Sequence, residues 1–429
     1  MTKISSLLSH CQSALEAAPR ILIAFSGGMD SSVLLKSVAQ NFPNKILLAI
    51  HVNHQLHTES DQWETHCREV ATDFGVPFVS EKICLHGQSG VEQRAREARY
   101  QVFQKYLEPD DVLLTGHHAD DQVETFLFRL FRGSGIKGLA GIPMSRSLGR
   151  GRLLRPLLGC SRQELKALAL SAEIEWIEDP SNEDTQFDRN YLRNTIIPSI
   201  TDRWNKADKQ IISAADRFND LDNLLSEVAD QDLDACLFRT EAVGVSIDIA
   251  PLKQLTPLRQ DNLLRRYIYS YQGTQPNQQV LKTLRSDILN ATPDSQPLLR
   301  HVDIEIRRFD GRLFLLPPMP EISAITSFES DWLPDKGSFN LAGIWKIHRL
   351  NHVDRPLSIT LRGGGERAKP LGREHSQTVK KLLLENRVEP WLRDYLPIIY
   401  SEDEIVAIGD RILCANFQFQ MQWLIEQNE

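Results

Sequence analysis

Through the first 135 residues, short and almost unbroken apolar runs alternate with stretches in which apolar residues recur every three or four positions. The run at 20–25 is β-prone and reads as a buried parallel strand, and further strands are expected at 45–52, 77–83 and 111–115. The stretches at 31–41, 59–74, 91–107 and 119–132 carry the period of amphipathic helices. Such a series predicts an α/β fold: a doubly wound parallel sheet with helices on both faces. Ligands of these sheets sit at the carboxyl ends of the strands, near the switch in strand order. The polar clusters fall at those ends: Ser26–Ser31 after the first strand, His51-Val52-Asn53-His54 on the second, and Thr115-Gly116-His117-His118 on the fourth.

Farther on, a connector rich in Gly and Arg (133–152) precedes a helical pattern at 161–171. Residues 206–235 read as a long helix. Thr256-Pro257 gives the N-cap and first position of another helix, which Gly273 stops. Residues 302–316 read as a hairpin across Asp310-Gly311, and Pro317-Pro318 with Pro320 marks a linker. The last ninety or so residues alternate strand-like runs with one helix, 376–386. Three domains are expected: 1–215, the doubly wound sheet; 216–320, mostly helical with a β-hairpin; and 338–429, small and α+β. No internal repeat or low-complexity tract interrupts them.

Composition adds little to this picture: 41% hydrophobic and 25% charged residues suit a soluble globular chain. No apolar run is long enough to span a membrane, no signal-peptide pattern opens the chain, and the six cysteines form no Cys-x-x-Cys pair. A cytoplasmic protein without membrane partners, disulfide framework or thiolate metal site is expected. The net charge of −8 argues against a nucleic-acid partner, but its distribution argues the other way. From Arg129 to Gln163 there is no acid, and the run holds Arg129, Arg132, Lys137, Arg146, Arg150, Arg152, Arg155 and Arg162. Beside a phosphate loop, that favours a polyanion.

That loop is Ser26-Gly27-Gly28-Met29-Asp30-Ser31. Two glycines allow a tight turn with N–H groups pointing one way, and a helix starting near Asp30 adds its positive dipole end. The Gly-Lys-Ser/Thr ending of a Walker A loop is missing. The segment resembles instead the pyrophosphate loop of the N-type ATP pyrophosphatases, which have an adenine nucleotide alpha hydrolase-like fold.

Two helices bring further candidates. In 91–107, Val91, Ala95, Ala98 and Val102 form the apolar stripe, and Glu92, Arg96 and Arg99 lie beside it. Arg96 and Arg99 are therefore expected to be partly buried, either paired with Glu92 or facing a phosphate. The helix opening Asp120-Asp121-Gln122-Val123-Glu124 continues apolar nearly all round and is expected to be buried. N-capping explains Asp120 but not Glu124, so these carboxylates need a cation, a metal or donors; Mg²⁺ or a substrate ammonium fits. His117 and His118 suit polar or phosphate contacts better than a metal site, and His51 is given no catalytic role.

Taken together, the motifs resemble the tRNA(Ile)-lysidine synthetase family. They are Ser26–Ser31, His51–His54, Glu92-x-x-Ala-Arg96-x-x-Arg99-Tyr100, Thr115–Glu124, Arg189-Asn190-x-x-Arg193, and Arg362-Gly-Gly-Gly-Glu-Arg367 followed by Lys380-Lys381, Pro390-Trp391 and Arg393. The resemblance implies a ligase that activates the wobble cytidine (position 34) of a tRNA(Ile) bearing a CAU anticodon. ATP would adenylate its C2 oxygen, L-lysine would attack C2 to give lysidine, and AMP and pyrophosphate would be released.

The same resemblance implies that Ser26, Gly27, Gly28, Met29, Asp30 and Ser31 hold ATP, with Asp30 near Mg²⁺. Asp120, Asp121 or Glu124 would neutralise or deprotonate the lysine amine, and Arg96 and His117 would serve the α-phosphate and the activated base. The later domains would bind tRNA, with Arg132, Lys137, Arg193, Arg362, Lys380 and Arg393 as contacts; a homodimer is allowed. Another tRNA-modifying enzyme of the superfamily, such as a base thiolase, is the alternative, although the paired cysteines of a sulfur relay are absent.

Overall fold

The computed structural model describes residues 6–55, 57–83, 91–292, 295–321, 331–332, 338–341, 344–349, 357–415 and 419–424. It divides into two compact units, Met1–Asn223 and Leu224–Glu429, with the boundary inside a long helix.

The first unit holds α1 (Gln12–Ala17), β1 (Arg20–Ala24), α2 (Met29–Asn41), β2 (Ile46–Asn53), α3 (Ser60–Asp73), β3 (Phe78–Lys82), α4 (Val91–Tyr106), β4 (Val112–Leu114) and α5 (Ala119–Phe131). Then come α6 (Ile136–Leu139), β5 (Ser145–Leu148), β6 (Gly151–Leu154), α7 (Arg162–Ser171), α8 (Asp188–Tyr191), α9 (Ile197–Arg203) and α10 (Ala207–Ala235). The sheet order is β3-β2-β1-β4-β6-β5. All neighbours are parallel except β5, which returns antiparallel on β6. The strand order reverses beside β1, so the crevice between the carboxyl ends of β1 and β4 is the place for a ligand.

Both faces of the sheet are covered. Ile21 and Ile23 of β1 pack with Val33, Leu34 and Val38 of α2, while Leu22 packs with Phe103 and Leu107 on the other side. The alternation of side chains along one strand therefore feeds two separate cores. Arg20 anchors the lower edge, donating from Nε to both carboxylate oxygens of buried Asp111 at 3.2 and 3.0 Å.

Three local expectations need correction. The connector 133–152 contains the β5–β6 hairpin, which extends the sheet past β4. Gly151 is required there, because a Cβ would lie 2.5 Å from the Asp111 carbonyl oxygen. Arg96 and Arg99 are exposed rather than partly buried, since α4 sinks only the Ala95 and Phe103 side into the core; the Glu92 side chain lies outside the described residues. The last turn of α5 is open, with Leu130 46% and Phe131 67% exposed, although its first two turns are buried as expected.

The second unit begins with the end of α10 and continues with β7 (Arg239–Thr240), β8 (Val245–Asp248), α11 (Ile249–Gln254), α12 (Pro257–Gln272), α13 (Gln278–Thr283), β9 (Leu298–His301), β10 (Ile304–Phe309) and β11 (Arg312–Leu316). Thr256 occupies the N-cap position of α12 without a side-chain capping hydrogen bond, Pro257 opens the helix and Gly273 ends it in the left-handed region at φ 74°. The Asp310-Gly311 turn joins β10 to β11, both residues at positive φ, as the hairpin signal requires. The hairpin belongs to a five-stranded antiparallel sheet in the order β7-β8-β11-β10-β9.

Farther along the second unit, another five-stranded sheet includes Leu357–Thr360, Ile398–Ser401 and Glu404–Ile408. Its helix is Val379–Glu385, shorter than expected because the Thr378 hydroxyl caps it by accepting from Lys381 N. Phe314 and Leu316 of β11 join the core of this last part. Among the described residues, no helix is long and apolar enough to cross a membrane.

Candidate active site

The phosphate loop leaves β1 through Gly27, whose φ of +82° takes the chain into the left-handed region. A side chain there would also collide with Cys67, its Cβ lying 2.7 Å from Sγ. Gly28 is the N-cap of α2, so Met29 and Asp30 already belong to the first helical turn. The Ser31 hydroxyl lies 3.1 Å from Ser26 Oγ and donates to the Gly28 carbonyl at 2.9 Å, which holds the loop in shape. The α2 N-terminus thus offers oriented N–H donors and hydroxyls to an anion.

The β4–α5 turn closes on this loop. Gly116 lies against it so closely that a Cβ would be 3.2 Å from the Asp30 carbonyl carbon and from Ser31 N. Next in the turn, the His117 ring takes a 2.8 Å hydrogen bond between Nδ1 and Thr115 Oγ1. Burial, together with nearby Arg155 and Arg96, pushes His117 down to about 4 despite the opposing pull of Asp121. It is a neutral imidazole at physiological pH.

His118 is buried and central to an acidic cluster. Its Nε2 is 3.6 Å from Asp30 Oδ2 and 3.7 Å from Asp121 Oδ2, and its Nδ1 is 3.5 Å from Asp120 Oδ2. Burial disfavours its charge, but Asp120, Asp121 and Asp30 outweigh that and raise it above the usual histidine value. Asp30 is also raised, first by burial, with Asp121 adding repulsion and His118 partly offsetting both. One Asp30 oxygen, Oδ1, is buried and makes no hydrogen bond.

Sequence reasoning gave three α5 acids similar standing; the structure separates them. Asp120 accepts from Arg162 N at 2.7 Å, so it caps α7 and does not cap its own helix. Asp121 accepts from His118 N at 3.0 Å and closes the start of α5. Glu124 is buried and receives Arg193 in a two-point contact, with Nε to Oε1 at 2.5 Å and Nη2 to Oε2 at 3.0 Å. Arg193 also reaches Asp121 at 3.5 Å. Burial raises Glu124 above its ordinary value even with Arg193 beside it. The result is a ring of carboxylates with one guanidinium, next to a loop built for phosphates.

Of the other candidates, Arg132 stacks on Phe128 at 3.9 Å and pairs with Asp188 at 3.0 Å. Lys137 lies on α6, which Arg129 ties to α5 by donating to the Gly138 and Gly141 carbonyls. Arg193 faces the acids rather than open surface. In the second unit, Arg362 pairs with Asp394 at 3.4 Å, Arg393 donates to the Val388 carbonyl and Lys380 is exposed. His51 donates from Nδ1 to the Phe25 carbonyl over 2.9 Å, a tie between β2 and the end of β1. Sequence reading missed the roles of Gly116 and Arg155; Gly116 had a signal, since a glycine directly before the paired histidines marks a close approach.

Mg²⁺ is tested by the donor set. Among the described residues there is no cluster of three or more His, Cys, Asp or Glu able to cage a metal. A magnesium ion held mainly by substrate phosphates and water needs only one or two protein carboxylates. The unpartnered Asp30 oxygen beside Asp121 fits that requirement.

Comparison with known proteins places these features in context. A family model for the PP-loop domain matches residues 1–200, one for a TilS substrate binding domain matches 247–314, and one for a TilS substrate C-terminal domain matches 357–426. The tRNA(Ile)-lysidine synthase of Coxiella burnetii is 36% identical over 408 residues, covering 92% of this chain and 90% of that one. That of Serratia proteamaculans is 38% identical over 402 residues, covering 92% and 91%, and that of Pseudomonas putida is 36% identical over 428 residues, covering 96% and 97%. Among solved structures, the U34-tRNA thiolase NcsA from Methanococcus maripaludis overlays 50% of this chain at a TM-score of 0.40 and 13% identity, too slight a likeness to argue from.

Proposed function

The chain belongs to the tRNA(Ile)-lysidine synthase family, and from that premise we propose how its residues divide a ligase reaction between the phosphate loop and the acidic end of α5. It is an ATP-using enzyme of tRNA modification. We infer that its substrate is a tRNA(Ile) with a CAU anticodon, that L-lysine is the amine, and that ATP leaves as AMP and pyrophosphate.

Residues 26–31 would bind the β- and γ-phosphates, which become the departing pyrophosphate. Preorganised N–H groups stabilise that charge without reorganising. Asp30 would hold Mg²⁺, which when bound supplies charge neutralisation on the phosphates. Neutral His117, fixed by Thr115, suits a donor to the activated cytidine, and exposed Arg96 suits the α-phosphate. Asp121 and Glu124 would bind the lysine ammonium and accept the proton that the ε-amine loses, since only the free amine attacks. Arg193 would offset the negative charge of Glu124 and Asp121 until lysine arrives.

Carrying this reading is the close packing of Gly116 on Asp30 and Ser31, which puts the acidic helix end directly against the phosphate loop. Both half-reactions then share one crevice, and the adenylated base need not travel. We keep the division 1–215, 216–320 and 338–429, with the first part catalytic and the other two binding tRNA. We place the reaction in the cytoplasm and leave a homodimer as the form to be tested by light scattering. Mass analysis of the anticodon fragment after incubation with ATP and lysine tests the function: the wobble cytidine should gain one lysine less one water. A gain of sulfur, or no change, would refute it.

A further inference from the structure

We propose that Arg96, Arg146 and Arg155, gathered on Tyr100, form an anion site for a phosphate group of one of the two phosphate-bearing substrates, ATP or the tRNA backbone. The proposal rests on the functional reading above and names a part of the site outside the phosphate loop.

Three guanidinium groups meet one side chain. Arg155 follows β6, is 2% exposed, donates from Nη1 to the Pro143 carbonyl at 2.6 Å and lies within electrostatic reach of the Tyr100 phenol. From β5, Arg146 lies over the Tyr100 ring at 4.6 Å. Arg96 of α4 lies over the same ring at 5.3 Å. The aromatic face thus seats two cations, and although burial raises the Tyr100 phenol, the three guanidiniums together hold it below its usual range.

What this group lacks is an acid. Arg20, Arg193 and Arg312 each meet a carboxylate in the fold. Among the described residues, Arg96, Arg146 and Arg155 have no such partner, and the buried Nε of Arg155 makes no hydrogen bond. Like charges brought together in partial burial repel and lose hydration unless an anion joins them. Guanidinium forks match phosphate oxygens better than any other common anion except carboxylate. Arg96 and Arg146 are exposed, so an outside phosphate reaches them, with Arg155 as the buried backing. The cluster borders the reaction site, because Arg96 and Arg155 both act on His117.

The test uses Arg146→Gln and its charge-retaining counterpart Arg146→Lys, with melting curves to show that both stay folded. ATP binding is measured by calorimetry without tRNA, and tRNA binding over a series of salt concentrations. Loss of one phosphate contact weakens binding about tenfold, and a lost tRNA contact also lowers the slope of log affinity against log salt by about one. Weaker tRNA binding with the smaller slope and unchanged ATP binding assigns the site to the backbone. Weaker ATP binding with an unchanged tRNA slope assigns it to the nucleotide. In either case Arg146→Lys recovers part of the loss. Unchanged affinity for both substrates overturns the proposal. Wild-type enzyme that makes no AMP with lysine and tRNA would refute the functional reading alone, because both binding measurements stand without turnover.

Discussion

Arg193 and Glu124 lie 69 residues apart in sequence and meet through two parallel hydrogen bonds, 2.5 and 3.0 Å long, with the carboxylate almost wholly buried. This pairing ties the segment after α8 to the acidic start of α5. Removing the arginine leaves a buried carboxylate without its partner, which costs about 3–5 kcal/mol. Arg193→Ala is therefore expected to melt much lower than wild type at pH 8. Without Arg193, the Glu124 value rises further above its unfolded value, so stability is retained below the unfolded value and lost as pH rises through the folded one. The deficit should shrink on going to pH 5; an equal deficit at both pH values would show that Glu124 is not the stranded group.

Glu124 and Asp121 are assigned to lysine, whereas Asp120 is tied to Arg162 N as a cap. Glu124→Gln and Asp121→Asn should raise the KM for lysine by tenfold or more, as expected for the loss of about 1.4 kcal/mol or more of charge-assisted binding. The KM for ATP should change little. Asp120→Asn should instead lower the melting temperature with small effect on either KM. Lysine kinetics unchanged from wild type in both the Asp121 and Glu124 variants would remove the assignment.

Gly27→Ala tests the phosphate loop. Its positive φ costs about 1–3 kcal/mol for a residue with a side chain, and the new Cβ meets Cys67 Sγ at 2.7 Å. ATP affinity should fall sharply by calorimetry. Adding Cys67→Ala relieves the collision but not the backbone strain, so only part of the loss should return. Full recovery would mean that the left-handed turn does not matter.

Much of this was legible in the sequence, and the reasons are local. Strands β1, β2 and β4 are largely apolar on both faces, because helices cover the parallel sheet on both sides, whereas the edge strand β3 carries Ser80, Glu81 and Lys82 and is only half-buried. The Asp310-Gly311 turn and the Thr256-Pro257 cap announce themselves through backbone chemistry. The β5–β6 hairpin did not, since two four-residue strands studded with arginine resemble a loop. Nor could spacing show that Arg193 faces Glu124 or that three arginines converge on Tyr100; those contacts join distant segments. The exposure of Arg96 and Arg99 was misjudged because a narrow stripe of alanines buries less of α4 than its length suggests.

Histidines set the acid response. His54, by burial and by Arg99, and His117, by burial and by Arg155 and Arg96, both lie at about 4, well below the ordinary 6.5. Between pH 6.5 and 4 the unfolded chain binds protons that these folded rings refuse, so stability falls as pH drops. Each contributes a slope of about 1.4 kcal/mol per pH unit in that window. His118, raised by its acids, opposes them: its contribution is full below the unfolded value and is lost as pH rises through the folded one. His54→Gln should flatten the fall by about one proton in denaturant titrations at several pH values; an unchanged slope would place His54 at an ordinary value.

Radiolabelled ATP, incubated with the purified chain, lysine and tRNA(Ile) transcript, tests the central claim most directly. The account predicts AMP and pyrophosphate, with AMP release requiring both lysine and tRNA, and both products lost in Gly27→Ala. ADP as the product, or AMP formed equally well without tRNA, would contradict it.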